Sequence, residues 1–318
     1  MRRIALLILP VMLTGLLAGC GGSDEPDTEG LPAVSGDYGT KPKVTIEKKT
    51  KPGKKLESVV LSEGDGAKIA KGDLLVADYL GKVYRNGKTF DNSYDRGQPA
   101  AFTLTDGPGG VISSWVKTLT GTKVGSRVLM VAPPKDGYGE AGNEQAGIKG
   151  TDSLVFVVDV IAAYKAGAAL PKSTPVTDLP TGIPTVSGDT APKVTVPKDA
   201  TPPKEAKVTV LSTGSGDKVE KGKLGIVQYT AVDWTGGALS STWEASPDGA
   251  PAGPRGVPIG GQQPSPFDLL VGIPVGSRVL LTLPAQEGED AKKKSVAVAI
   301  DVLAQNGTAK DTAKGAEK

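Results

Sequence analysis

Residues 76–104 read VADYLGKVYRNGKTFDNSYDRGQPAAFTL. The stretch begins as a strand: Leu75, Ala77, Tyr79 and Val83 alternate along one face, with Asp78 and Lys82 on the other, the period of two that an extended chain imposes. It ends as a strand again at AFTLT. The middle is polar loop, yet it carries Phe90, one of only four Phe in the chain, directly before the carboxylate of Asp91. Asp followed by Asn and Ser is good turn chemistry, so a turn cap is one reading of Asp91. A wall of a binding pocket is the other.

Outward from this stretch, SRVLMVA and SLVFVVDVIA also predict strands, rich in Val, Leu and Phe. Helical spacing occurs once, after the breaker run DGPGG: Ile112, Trp115, Val116 and Leu119 stand at i, i+3, i+4 and i+7. Several antiparallel strands and one short apolar helix make an α+β class, with the sheet wrapped over the helix. Gly (43) and Pro (25) make up roughly a fifth of the 318 residues, which favours short strands and turns over long helices.

The chain then repeats itself at a spacing of about 150 residues. VSGDYGTKPKVTI (34–46) returns as VSGDTAPKVTV (186–196), KVGSRVLM (123–130) as PVGSRVLL (274–281), and VVDVIA (157–162) as AIDVLA (299–304). Two tandem copies of one domain are expected, at 44–165 and 194–305. A Pro- and Thr-rich linker at 166–193 separates them, and a polar, mobile tail at 306–318 follows.

The N-terminus reads as a leader. A basic MRR precedes a Pro- and Gly-interrupted apolar run that ends at Leu17-Ala18-Gly19-Cys20, and Cys20 is the only cysteine. This resembles a bacterial lipobox, which predicts a signal peptide at 1–19, a lipidated Cys20 and a tether at 20–43. An ordinary signal peptide with an incidental Cys is the alternative. Lipidation places the folded part outside the cytoplasm, on the bacterial cell membrane. Arg2 and Arg3 fall within the leader, so the remainder carries 35 basic and 35 acidic residues. That balance gives no electrostatic reason to expect nucleic acid as partner. The chain contains no His, which removes His-based triads and His metal sites, and no metal or cofactor is expected.

Five motifs in order, VADYLGKVYRNGKTFDNSYDRGQPAAFTL, VISSW (111–115), VGSRVLMVAPPKDGYG (124–139) and SLVFVVDVI (153–161), with the strand before them, resemble an FKBP-type peptidyl-prolyl cis-trans isomerase across residues 57–163. The resemblance implies an enzyme without cofactor that acts on proline-containing exported polypeptides. It implies a pocket with Trp115 as floor and Tyr79, Phe90, Phe102, Val111, Ile112, Ile148 and Phe156 as walls. Tyr138 and the backbone N–H of Ile112 are implied as donors to a substrate carbonyl, Asp91 as the pocket carboxylate, and Arg96 as its partner. Ala100, Ser114 and Lys149-Gly150 depart from the family pattern at the pocket rim. In the second copy, alignment of Tyr79 with Tyr229 puts Leu239 and Ser240 where Phe90 and Asp91 stand. Pro264 and Pro266 interrupt the helix segment there, and no Tyr follows VGSRVLLTLP. The second copy is therefore expected to be a degenerate, inactive FKBP-like domain. A non-catalytic peptide- or partner-binding lipoprotein built from FKBP-like modules is the competing reading of the whole chain.

Overall fold

The computed structural model describes residues 28–47 and 49–311. The expected signal peptide and Cys20 lie outside the described residues, as do the first part of the tether and the end of the tail. Strands β1 (Ala33–Ser35) and β2 (Lys43–Thr45) form a hairpin. Six strands follow: β3 (Glu57–Ser62), β4 (Leu74–Val83), β5 (Thr89–Asn92), β6 (Ala100–Thr103), β7 (Arg127–Ala132) and β8 (Leu154–Tyr164). They make one antiparallel sheet in the order β3-β7-β8-β4-β5, with β6 on β4 beside β5. The central pair runs from Leu74 opposite Tyr164 to Val83 opposite Leu154.

Helix α1 (Ser113–Leu119) lies on one face of this sheet. Its Trp115, Val116 and Leu119 share a core with Leu75, Ala77, Tyr79 and Val83, the residues whose alternation predicted a common face. The opposite face is also covered. Val34 and Val44 of the hairpin pack there on Leu80, Leu129, Val155 and Val157. Cover on both faces explains why β8 reads as a nearly unbroken apolar run rather than a clean alternation.

The rest of the chain builds a second sheet. Its elements are β9 (Thr174–Pro175), the hairpin β10 (Thr185–Ser187) and β11 (Lys193–Thr195), β12 (Lys207–Thr213), β13 (Leu224–Asp233), β14 (Ala238–Ser241), β15 (Arg255–Pro258), β16 (Arg278–Leu283), α2 (Ala291–Lys294) and β17 (Val296–Asn306). The order β14-β13-β17-β16-β12, with β15 on β13, matches the first sheet strand for strand, and β9 is added at the β12 edge. Bulges recur as well, between Gly81 and Lys82 in β4 and between Ala231 and Val232 in β13. Where the first sheet carries α1, the second carries a 3₁₀ turn, Pro266–Leu270, with Pro266 at its start. Proline lacks the N–H that would continue an α-helical ladder, which agrees with the expectation from sequence.

Three boundaries differ from those expected. Part of the tether and part of the linker are folded, as the β1–β2 and β10–β11 hairpins and as β9. Arg127 and Arg278, from the repeated VGSR, reach these hairpins: Arg127 donates to the carbonyls of Gly36 and Thr40, and Arg278 to those of Gly188 and Asp189. The first residues of the expected tail, as far as Asp311, lie against the first unit. Asn306 closes β17 and accepts from the Tyr164 hydroxyl at 2.7 Å. Ala309 is fully buried, and its N–H donates to Asp78 at 2.7 Å. Asp78, on what reads as the polar face of β4, is thus sealed between the two sheets, and burial pushes its carboxyl above the usual range. Leu74, Val76 and Ile161 meet Leu224 and Ile226 in the same apolar junction.

Candidate functional site

An open cavity of about 320 Å³ lies between α1 and the near face of the first sheet. Trp115, 4% exposed, is its floor, held by the helical spacing that predicted α1. Around Trp115 the aromatics meet edge to face. Phe102 stands 5.1 Å from it between centroids, Tyr79 5.5 Å and Phe156 5.6 Å. Phe90 meets Phe156 at 5.6 Å, and Tyr79 meets Phe102 at 5.5 Å. Each such pair contributes about 0.5–1.5 kcal/mol beyond area burial. The walls are therefore stiff before any ligand arrives.

Strand β4 brings Tyr79 and β5 brings Phe90 and Asp91. Gly81 lies directly opposite Asp91 in this pairing. A Cβ on Gly81 would sit 2.6 Å from Phe90 Cζ and 3.1 Å from Phe156. Gly81 is thus a requirement of the site that sequence reasoning missed. The scarcity of side chain at that point was its only signal. The same register in the second sheet puts Ala231 opposite Ser240, which supports the alignment made from sequence. There Leu239, in the place of Phe90, is 52% exposed and lines a cavity of about 690 Å³ whose one aromatic is Trp243.

The polar side of the cavity is one cluster. The Tyr79 hydroxyl donates to Asp91, Arg96 Nη1 donates to Asp91 Oδ1 at 2.6 Å, and Arg96 Nη2 donates to the Tyr79 hydroxyl at 3.0 Å. Arg96 is held by the short turn Tyr94–Arg96, which Gly97 ends in the left-handed region at φ 68°. The guanidinium also lies 5.6 Å from the Tyr79 ring centre. Arg96 does not border the cavity itself, but it fixes the two groups that do. Burial, with the hydrogen bond to Asp91, pushes the Tyr79 phenol up to about 12. The sign follows from linkage: stability from the protonated phenol is present below about pH 10 and is lost as pH climbs through about 12. Tyr138 is likewise raised by burial.

Val111 and Ile112 line the cavity at the entry to α1, together with Gly107 and Gly110. Ile112 occupies the N-cap position, where a backbone N–H has no helical acceptor. Tyr138, 37% exposed, closes the rim from the loop after β7. A second unforeseen pair holds that loop: Lys117 of α1 bonds the buried Asp136 at 2.5 Å. One expected wall residue is absent. Ile148 is 3% exposed in the core below, turned inward by its paired hydrogen bonds with Asn143 at 2.8 and 2.9 Å. Among the described residues no cluster of His, Cys, Asp or Glu suits a metal ion.

The sheet and helix α1 thus enclose a cavity with an aromatic floor and walls and one polar edge. The model of the family described as FKBP-type peptidyl-prolyl cis-trans isomerase matches residues 66–161, which hold this entire cavity. A probable FK506-binding protein of Corynebacterium glutamicum is 36% identical over 110 residues, covering 34% of this chain and 88% of the relative. The FKBP-type isomerase FkpA of Escherichia coli is 39% identical over 112 residues, 34% of this chain and 39% of the relative. The FkpA crystal structure aligns with a TM-score of 0.32 at 36% identity, over 35% of this chain and 48% of that one. The chain belongs to the FKBP-type peptidyl-prolyl cis-trans isomerase family. It spans about two fifths of the FkpA relatives' length and most of the Corynebacterium one.

Proposed function

We propose that this chain is a peptidyl-prolyl cis-trans isomerase whose work is done in the aromatic cavity of its first unit. The observation that carries the reading is the junction of Trp115, Tyr79, Phe102 and Phe156 with the Tyr79–Asp91–Arg96 cluster at one edge. Rotation about an X-Pro amide needs neither a nucleophile nor a proton transfer, only loss of resonance worth about 18–20 kcal/mol for a peptide bond. A site that excludes water from the prolyl ring, and binds the twisted amide better than the planar one, lowers that barrier. A thousandfold acceleration needs about 4 kcal/mol of such preference. The Ile112 N–H and the Tyr138 hydroxyl are the donors at hand for the substrate carbonyl. Asp91 holds the Tyr79 hydroxyl and offers its remaining lone pairs to the rim.

In this reading the units at 44–165 and 194–305 are tandem FKBP-like copies, each sheet wrapped over its short helix or turn, and the second lacks the aromatic set that lines the first unit's cavity. Lipidation at Cys20 anchors the protein outside the cytoplasm, where exported polypeptides are its clients. No helix among the described residues is long and apolar enough to cross a membrane. Unaided X-Pro isomerisation takes tens to hundreds of seconds, so a catalyst there speeds folding. A protease-coupled assay on a prolyl tetrapeptide, with the chain freed of its leader, is expected to give acceleration. Asp91→Ala and Tyr138→Phe are each expected to lower kcat/KM about tenfold, the effect of about 1.4 kcal/mol. FK506, named in the relatives, is expected to compete with the peptide. No acceleration by the unaltered chain, with FK506 still bound, would instead support a non-catalytic binding module.

A further inference from the structure

The second unit's own cavity lacks the aromatic set of the first unit's, and the second unit stands beside that first cavity. A groove of about 600 Å³ runs between the units from Arg96, the residue that fixes Asp91 and Tyr79. Its near wall is Gly97 and Gln98, and its far wall is the segment 258–265 of the second unit. Gln98 spans the floor, donating to the carbonyls of Lys223 at 3.4 Å and Ile259 at 3.3 Å. On the far wall Gln262 and Gln263 are exposed and make no hydrogen bond among the described residues.

The two walls are fixed relative to each other. β6 and β15 approach so closely that a Cβ on Gly256 would meet Ala101 Cβ at 2.4 Å. The docked Ala309 and the Tyr164–Asn306 bond hold the same junction. The second unit also touches the cavity rim directly, since Ala250 packs on Gly109, which lies between the cavity-lining Gly107 and Gly110.

We propose that this groove binds the stretch of substrate polypeptide flanking the proline, so that the second unit completes the substrate site of the first. This rests on the isomerase reading above. The occupant follows from continuity and chemistry. Arg96 lines the groove and bonds Asp91 and Tyr79, which line the cavity, so the two adjoin at this cluster and a chain held at the proline continues toward the groove. The far wall offers amide side chains, glycines and prolines, with no charge. Such a surface suits an extended backbone of any sequence, whose N–H and C=O groups meet the glutamine amides.

The test compares two substrates on the full chain freed of its leader: a prolyl tetrapeptide, and a long unfolded polypeptide whose refolding is limited by one X-Pro bond. In Gln262→Ala/Gln263→Ala the ratio of kcat/KM for the long substrate to that for the tetrapeptide is expected to fall about five- to tenfold, the loss of two hydrogen bonds. Both substitutions are at exposed positions, so folding is not at stake. An unchanged ratio, or equal falls on both substrates, overturns the groove. Failure of the isomerase reading is distinct: the unaltered chain then accelerates neither substrate.

Discussion

Arg127→Leu is expected to destabilise the protein by about 3–5 kcal/mol, a large part of the stability of a typical domain. Arg127 is 1% exposed and Asp159 fully buried. The guanidinium donates to Asp159 at 2.6 and 2.7 Å, and to the Thr40 carbonyl at 2.6 Å, besides Gly36. Tyr94 at 2.9 Å and Gly39 at 2.8 Å supply the other donors to Asp159. Removing the arginine leaves a buried carboxylate without its counter-charge and unties the β1–β2 hairpin, and both raise the cost. A lower urea midpoint at unchanged slope is the expected signature. Arg127→Leu/Asp159→Leu is expected to recover part of the loss, because no lone buried charge remains. Arg278→Leu in the second unit should cost less: the Arg278 side chain is 12% exposed.

Gly81→Val is expected to lower kcat/KM on a prolyl peptide about a hundredfold, equivalent to roughly 2.7 kcal/mol, while the fold persists. Val suits a strand better than Gly does, so the strand itself tolerates the change. The pocket does not, since the new side chain occupies the space of the Phe90 ring and presses on Phe156. The wall that shields the amide from water is thereby displaced. Gly81→Ala/Phe90→Leu rebuilds the second unit's combination of Ala231 and Leu239 and is expected to lose activity similarly. Retained activity in either variant would mean that Phe90 forms no part of the transition-state site. Circular dichroism serves as the control for folding.

Much of this was legible in the sequence, and the reason is local. Alternation around Tyr79 marked β4, one i, i+3, i+4, i+7 set marked α1, and the order of the aromatics marked the walls. What escaped reading depends on contacts without local period. Gly81 matters for an absent side chain, and Lys117 meets Asp136 across a strand and two turns. Ile148 was misplaced because loop pairing, not spacing, turns it inward. The three repeated motifs VSGD, VGSR and VVDV or AIDV were visible only as separate echoes. In space they are one network, repeated twice: hairpin carbonyls, arginine, and the aspartate of the last strand. The repetition marked what holds each unit together, whereas Phe90, Asp91 and Tyr138 of the proposed site lie where the copies disagree.

The buried bond between Ala309 and Asp78 also orders events in time. It joins residues 231 positions apart. As the chain leaves the ribosome, every strand around the aromatic cavity is available long before the segment that seals Asp78. Closing so long a loop is entropically demanding, and non-local pairings form late. The first unit therefore acquires its cavity while Asp78 is still wet and free to ionise. The groove arrives later than the cavity, once residues 258–265 have been made.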